Sequence, residues 1–235
     1  PRLDLFDSNM TLVGTPTLFI DGEWCASSDG GRRPTYNPYD ASVIMHVDEA
    51  TANDARRAIA AAKAFFSSSD WSRRSYQDRC ELLNRMADSL QKNKAELARI
   101  ETIDTGKTLG ESEIDIDDVT NVFRFYAKEA LKLAEDKRVT GPLVPESVKS
   151  LVVHEPVGVC VLITPWNYPI LQLCWKLAPA LATGNVVIVK PSEVTPLSTI
   201  YLVHMMLEVG FPSGSIQLLT ASGASIAVSY THLDA

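Results

Sequence analysis

The residues best suited to chemistry gather in two short runs, T-P-W-N-Y-P at Thr164–Pro169 and K-P-S-E-V-T-P at Lys190–Pro196. Asn167 stands just before a helix whose first position is preset by Pro169, and its amide can donate to an oxygen that gains negative charge. In isolation an asparagine there is more often a helix cap. Lys190 offers a donor or a phosphate partner; Glu193 offers a carboxylate that accepts from ribose hydroxyls and repels a 2′-phosphate. A bare K-x-x-E is a surface ion pair. Lys176, between Trp175 and Leu177, needs a partner or a path to water.

The elements that would hold these runs are legible. Val159–Ile163 is a β-branched strand, Pro169–Ala182 has helical apolar spacing, and Val186–Lys190 is a second apolar strand. The β-α-β unit brings both runs to the carboxyl edge of a parallel sheet, where open α/β sheets bind ligands. Upstream, Asp21-Gly22 predicts a hairpin between Thr17–Ile20 and Glu23–Ala26, Ser27–Arg33 reads as a loop, and Val43–Val47 as a strand. Thr51 with Asp54 caps a helix; Ser75–Lys92 and Lys94–Asp104 follow, the latter stopped by Gly106. A helix over residues 111–135 opens with Glu111, Glu113, Asp115, Asp117 and Asp118, read as a solvated, dipole-matched start whose carboxylates alternate rather than converge. Ser147–His154 is β-like, Pro196–Gly210 is helical and Ile216–Leu219 is a strand.

The two runs resemble the NAD(P)-dependent aldehyde dehydrogenase superfamily, and most closely its betaine-aldehyde dehydrogenase branch. The resemblance extends through W-K-L-A-P-A-L-A-T-G-N, L-F-I-D-G-E-W (Leu18–Trp24), Y-N-P (Tyr36–Pro38), E-T-I-D-T-G-K-T-L (Glu101–Leu109) and H-E-P-V-G-V-C (His154–Cys160). It implies an incomplete Rossmann-type α/β fold with helices on both faces, and NAD-dependent oxidation of an aldehyde, betaine aldehyde above others, with NADP disfavoured. Asn167 would donate to the thiohemiacetal oxygen and Lys176 would take a charge-relay role. Thr164, Pro165, Trp166, Lys190, Ser192 and Glu193 would bind the cofactor. Thr35, Tyr36, Asp104 and Val194 would hold a potassium ion. Tyr168 and Trp175 are the aromatic residues in view for gripping a trimethylammonium group.

The resemblance also has limits. The family's catalytic cysteine and glutamate sit in motifs like G-Q-x-C and E-L-G-G-K, and none of Cys25, Cys80, Cys160 and Cys174 has that context. T-A-S-G-A-S-I-A replaces a glycine-rich turn, and V-S-Y-T-H-L-D-A at Val228–Ala235 reads as a non-native tail. The expectation is the N-terminal half of an enzyme, inactive by itself. The alternatives are a different aldehyde or a dead NAD-binding module. Its parts would be a loose leader (1–16), the N-terminal portion of the cofactor domain (17–139), a β oligomerisation arm (140–157), the NAD-binding units (158–227) and the tail (228–235).

Bulk properties narrow the classes. The 235 residues are 46% hydrophobic with a net charge of -7, which argues against a nucleic-acid or anionic-membrane surface. No apolar run reaches the roughly 18 residues a bilayer span needs. The four cysteines lack CxxC spacing, so neither a zinc site nor a disulfide framework is indicated. A cytoplasmic enzyme, a dimer or tetramer when whole, is expected.

Overall fold

A computed structural model of the chain describes residues 16–134, 137–138, 147–148, 150–223 and 226. The leader, most of residues 139–149 and the tail lie outside them. The chain opens with β1 (Leu18–Ile20) and β2 (Glu23–Cys25), the hairpin expected about Asp21-Gly22. Both turn residues have positive φ, and the buried Gln217 side chain accepts from the Asp21 amide at 2.7 Å. β3 (Arg32–Tyr36) and β4 (Val43–Asp48) form a separate antiparallel ribbon with an irregularity at Thr35/Tyr36. β3 corrects the end of the loop expected over Ser27–Arg33: an edge strand tolerates Pro34 and two successive arginines that no strand template favours.

Four helices follow. α1 (Ala52–Ser68) carries the capping box of Thr51 and Asp54. α2 (Tyr76–Lys92) starts at the Ser75 cap, and α3 (Lys94–Thr105) ends at Gly106, whose φ of 79° fits the left-handed position that terminates a helix. α4 (Leu109–Ala130) begins two residues earlier than its pattern predicts, because Thr108 and Glu111 form a second capping box. It closes in a 3-10 turn over Leu131–Leu133. β5 (Lys137–Arg138) pairs antiparallel with β6 (Leu151–Val152), so the extended excursion takes one strand from before residue 140, and only Leu151–Val152 of the stretch Ser147–His154 is strand.

The second half alternates: β7 (Val159–Ile163), α5 (Pro169–Ala182), β8 (Val186–Lys190), α6 (Leu197–Glu208) and β9 (Ile216–Leu218). The main sheet has the order β2-β1-β9-β8-β7, with β7, β8 and β9 parallel and β1 antiparallel to β9. Every residue of β8 is buried, as a parallel strand covered on both faces requires. α1 packs on β1, β7, β8 and β9; α5 and α6 pack on the sheet and on α4 and α3. Fully burying each Val or Ile of β8 contributes about 2 kcal/mol.

The amino end of the β-α-β unit is locked by Asn185. Its Oδ1 accepts from Gly158 N at 2.9 Å, its Nδ2 donates to Ala180 O and Thr183 Oγ1, and its carbonyl accepts from Trp71 Nε1 at 2.9 Å. Trp71, in a polar-looking connection, is therefore buried. Arg79 Nε donates to Ala182 O at 2.9 Å beneath the same turn. With this end fixed, the opposite end of β7 and β8 carries both sequence runs in register, Ile163 opposite Lys190.

Candidate functional site

At the carboxyl edge the two runs are stitched together. Thr164 N donates to Lys190 O at 3.2 Å, and Thr195 Oγ1 donates to Trp166 O at 3.0 Å. Thr164 is buried and its hydroxyl has no hydrogen-bond partner among the described residues. Pro165 is half-buried and Trp166 exposed. Asn167 is exposed beside Trp166, and its amide has no partner among the described residues, which leaves it free to donate to a ligand.

Lys190 is buried and its ammonium donates to Pro191 O at 3.0 Å, with Glu193 Oε2 at 3.5 Å. Burial holds the lysine below its ordinary pKa; a backbone hydrogen bond at Glu193 itself, then Lys190, holds the carboxylate below its own. The two side chains therefore stand together at a strand end, 3.5 Å apart, rather than as two separate groups. Ser192 is buried and its Oγ accepts from Val194 N at 3.3 Å. Arg33, on β3, donates to the Glu193 carbonyl and pairs with Glu49, so the ribbon supports this loop from outside the sheet.

Lys176 is not drawn into the site: its Nζ donates to Gln172 O, one turn back in α5, at 3.1 Å. Asp104 is fully buried at the end of α3. Its Oδ2 accepts from Leu197 N at 2.9 Å, capping α6 from another element, and its Oδ1 is an orphaned buried oxygen. Burial pushes its pKa well up. Val194, three residues before Leu197, is exposed, and the side chain of buried Thr35 is used internally, Oγ1 donating to Met45 O at 3.2 Å. Exposed Tyr36 leads into Pro38, whose Cγ would lie 2.7 Å from a Cβ at Gly106, so this segment runs against the end of α3 beside Asp104.

A cleft of about 520 Å³ opens beside Asn167, lined on one side by Trp166, Asn167, Tyr168 and Leu171 and on the other by Thr105–Lys107 and α4. Glu111, Asp115 and Asp118 all line it. Their i, i+4, i+7 spacing puts them on one helix face. No cluster of three or more metal-ligating residues occurs among the described residues. Behind this wall Lys107 pairs with Asp115 at 2.5 Å and lies 3.7 Å from Glu101. Glu101 is wholly buried; it faces Ser198 and the Ile170 amide without closing a hydrogen bond of normal geometry to either, and burial pushes its pKa up to about 7. Arg33, Glu101 and Lys107 escaped sequence reasoning as site residues. E-T-I-D-T-G-K held the signal for two of them, since three charges around a helix stop need partners.

Burial raises the pKa of all four thiols, in Cys25, Cys80, Cys160 and Cys174, the opposite of what an activated nucleophile requires.

A parallel β-α-β-α-β unit with helices packed on its sheet defines an α/β fold of Rossmann type. The chain belongs to the aldehyde dehydrogenase family, whose family model matches residues 24–232. It is 44% identical over 210 residues to betaine aldehyde dehydrogenase of Bacillus subtilis (strain 168), covering 89% of this chain and 42% of that protein. Retinaldehyde dehydrogenase 3 of Mus musculus is 39% identical over 213 residues, covering 89% and 40%. The crystal structure of betaine aldehyde dehydrogenase from Staphylococcus aureus in complex with NAD+ superposes with a TM-score of 0.85 at 44% identity, covering 90% of this chain and 42% of that one. The chain thus spans about two fifths of the length of the relatives it matches.

Proposed function

We propose that this chain is the cofactor-binding portion of an NAD-dependent aldehyde dehydrogenase that takes a cationic aldehyde, betaine aldehyde above others. The observation that carries the reading is the 3.2 Å bond from Thr164 N to Lys190 O, which sets the Lys190–Glu193 pair and the free Asn167 amide on adjoining loops. The residues fit a dinucleotide: Glu193 accepts from ribose hydroxyls and disfavours a 2′-phosphate, Lys190 and Ser192 flank it, and the unpartnered Thr164 hydroxyl is available beside Pro165 and Trp166. Bound NAD would supply the hydride acceptor. Asn167 would donate its amide to the aldehyde oxygen as negative charge develops there. The thiol attack belongs to a cysteine other than the four present.

The acidic wall of Glu111, Asp115 and Asp118, against one Lys107, supports a positively charged substrate. The orphaned Asp104 Oδ1 supports a potassium ion held with backbone oxygens of Thr35, Tyr36 and Val194, where it would neutralise a buried carboxylate. The hairpin of β5 and β6, followed by exposed Val153 and Val157, supports the 140–157 segment as an oligomerisation arm of a dimer or tetramer. No helix among the described residues is long and apolar enough to cross a membrane. A second reading, another aldehyde of the same family, is favoured by two features: Lys107 already sits against the ring of Tyr168, and Trp175 is not on the cleft.

Calorimetric titration of NAD and NADP into this chain tests the cofactor reading. NAD should bind at one site, NADP at least about tenfold more weakly, and Glu193→Gln should erase the difference; absence of any NAD heat would refute it. In a reading frame extended to include the nucleophile, Asn167→Ala should lower kcat by about 10² to 10³. Unchanged turnover would remove its proposed role.

A further inference from the structure

The loop that presents Asn167 has little support of its own. Trp166, Asn167 and Tyr168 are exposed, and α5 begins after Tyr168 without a side-chain cap. Two contacts from distant elements hold it. One is the hydroxyl of Thr195 on the carbonyl of Trp166. The other is an ammonium group: Lys107 Nζ lies 4.4 Å from the centroid of the Tyr168 ring, well inside cation–π range.

Lys107 is a rare kind of lysine. Its side chain is only 12% exposed, its ammonium is clamped by Asp115 from α4, and Glu101 of α3 stands 3.7 Å off. A flexible four-carbon stem would normally seek water, so burying this one costs free energy that a fixed destination must offset. The left-handed Gly106 makes the geometry attainable by turning the chain sharply off α3, so that the next residue lies between α3 and α4. What emerges is a charge with two carboxylates, Asp115 and Glu101, on one side of it and one aromatic face on the other.

We propose that Lys107 is a positioning residue for the Asn167 amide, holding the Trp166–Tyr168 loop in place through the face of the Tyr168 ring. The catalytic consequence rests on Asn167 being the oxyanion donor; the positioning is a property of the loop and can be read without turnover. The attraction requires a cation, so arginine preserves it and methionine, of similar length, does not. It also requires the ring, so removing either partner releases the same loop.

The test is 19F NMR of this chain labelled with 5-fluorotryptophan. There are four tryptophans, of which Trp71 is fully buried and reports the core, while Trp166 is exposed and adjoins Asn167. Lys107→Met, Tyr168→Leu and the double variant should move the Trp166 resonance toward its position in the denatured chain by the same amount. Trp71 should stay fixed, and Lys107→Arg should restore Trp166. Additive shifts in the double variant, an unmoved Trp166, or Trp71 moving with it in all variants would overturn the proposal. NAD calorimetry reads neither signal, so the cofactor reading and this one can fail separately.

Discussion

Glu101 offers a sharp test of the buried charge network. Its side chain is wholly inaccessible and its pKa is pushed from an ordinary 4.5 up to about 7, by burial before anything else. Below about pH 4.5 the carboxyl is protonated in both folded and unfolded chains and ionisation costs nothing. As pH rises, the unfolded chain releases its proton freely while the folded chain retains it, so the folded state binds more protons and stability falls. The loss grows between about pH 4.5 and 7 and then levels at about 3 kcal/mol, from about 1.4 kcal/mol per unit. Glu101→Gln keeps the shape and cannot ionise. Urea unfolding followed by circular dichroism at pH 5, 6, 7 and 8 should show the variant gaining on the parent by about 2–3 kcal/mol across that window, with the Asp104 contribution reduced in the variant because the Glu101 charge is one of the causes that raise its pKa. Parallel pH profiles for the two proteins would refute the reasoning, because they would mean that Glu101 ionises as easily inside as outside.

Two further outcomes follow from the same corner of the molecule. Gly106→Ala should destabilise the chain by at least about 2 kcal/mol in urea unfolding, since φ is 79° and the new Cβ would meet Pro38 Cγ at 2.7 Å; a loss under about 0.5 kcal/mol would show that the turn relaxes. If potassium uses Asp104, thermal unfolding in potassium chloride should exceed that in choline chloride at equal ionic strength, by about 1.4 kcal/mol at tenfold excess over Kd. Asp104→Asn should remove the difference, and equal midpoints in the two salts would count against the ion.

The sequence was most readable where structure is local. β7, α5 and β8 have the bounds their patterns predict, because a β-branched run, a Pro169 start and a T-G-N stop each act within a few residues. Gly106 and the Thr51 capping box were legible for the same reason. β3 was not, since among the described residues it pairs with β4 alone and Arg33 reaches Glu193 and Glu49, distant in the chain. The acidic face of α4 looked solvated because its meaning comes from Trp166 and Asn167 across the cleft. Glu101 and Asp104 look like ordinary helix residues until α5 and α6 close over them.

The cap that Asp104 provides for α6 joins residues 93 positions apart. On a ribosome the carboxylate exists long before the amide it will serve. α3 therefore waits with two acids in water, and the arrival of the later helices is what takes them out of it. Docking of the second half is opposed by acid desolvation and favoured by apolar burial, so folding of this chain should run faster at mildly acidic pH than at alkaline pH.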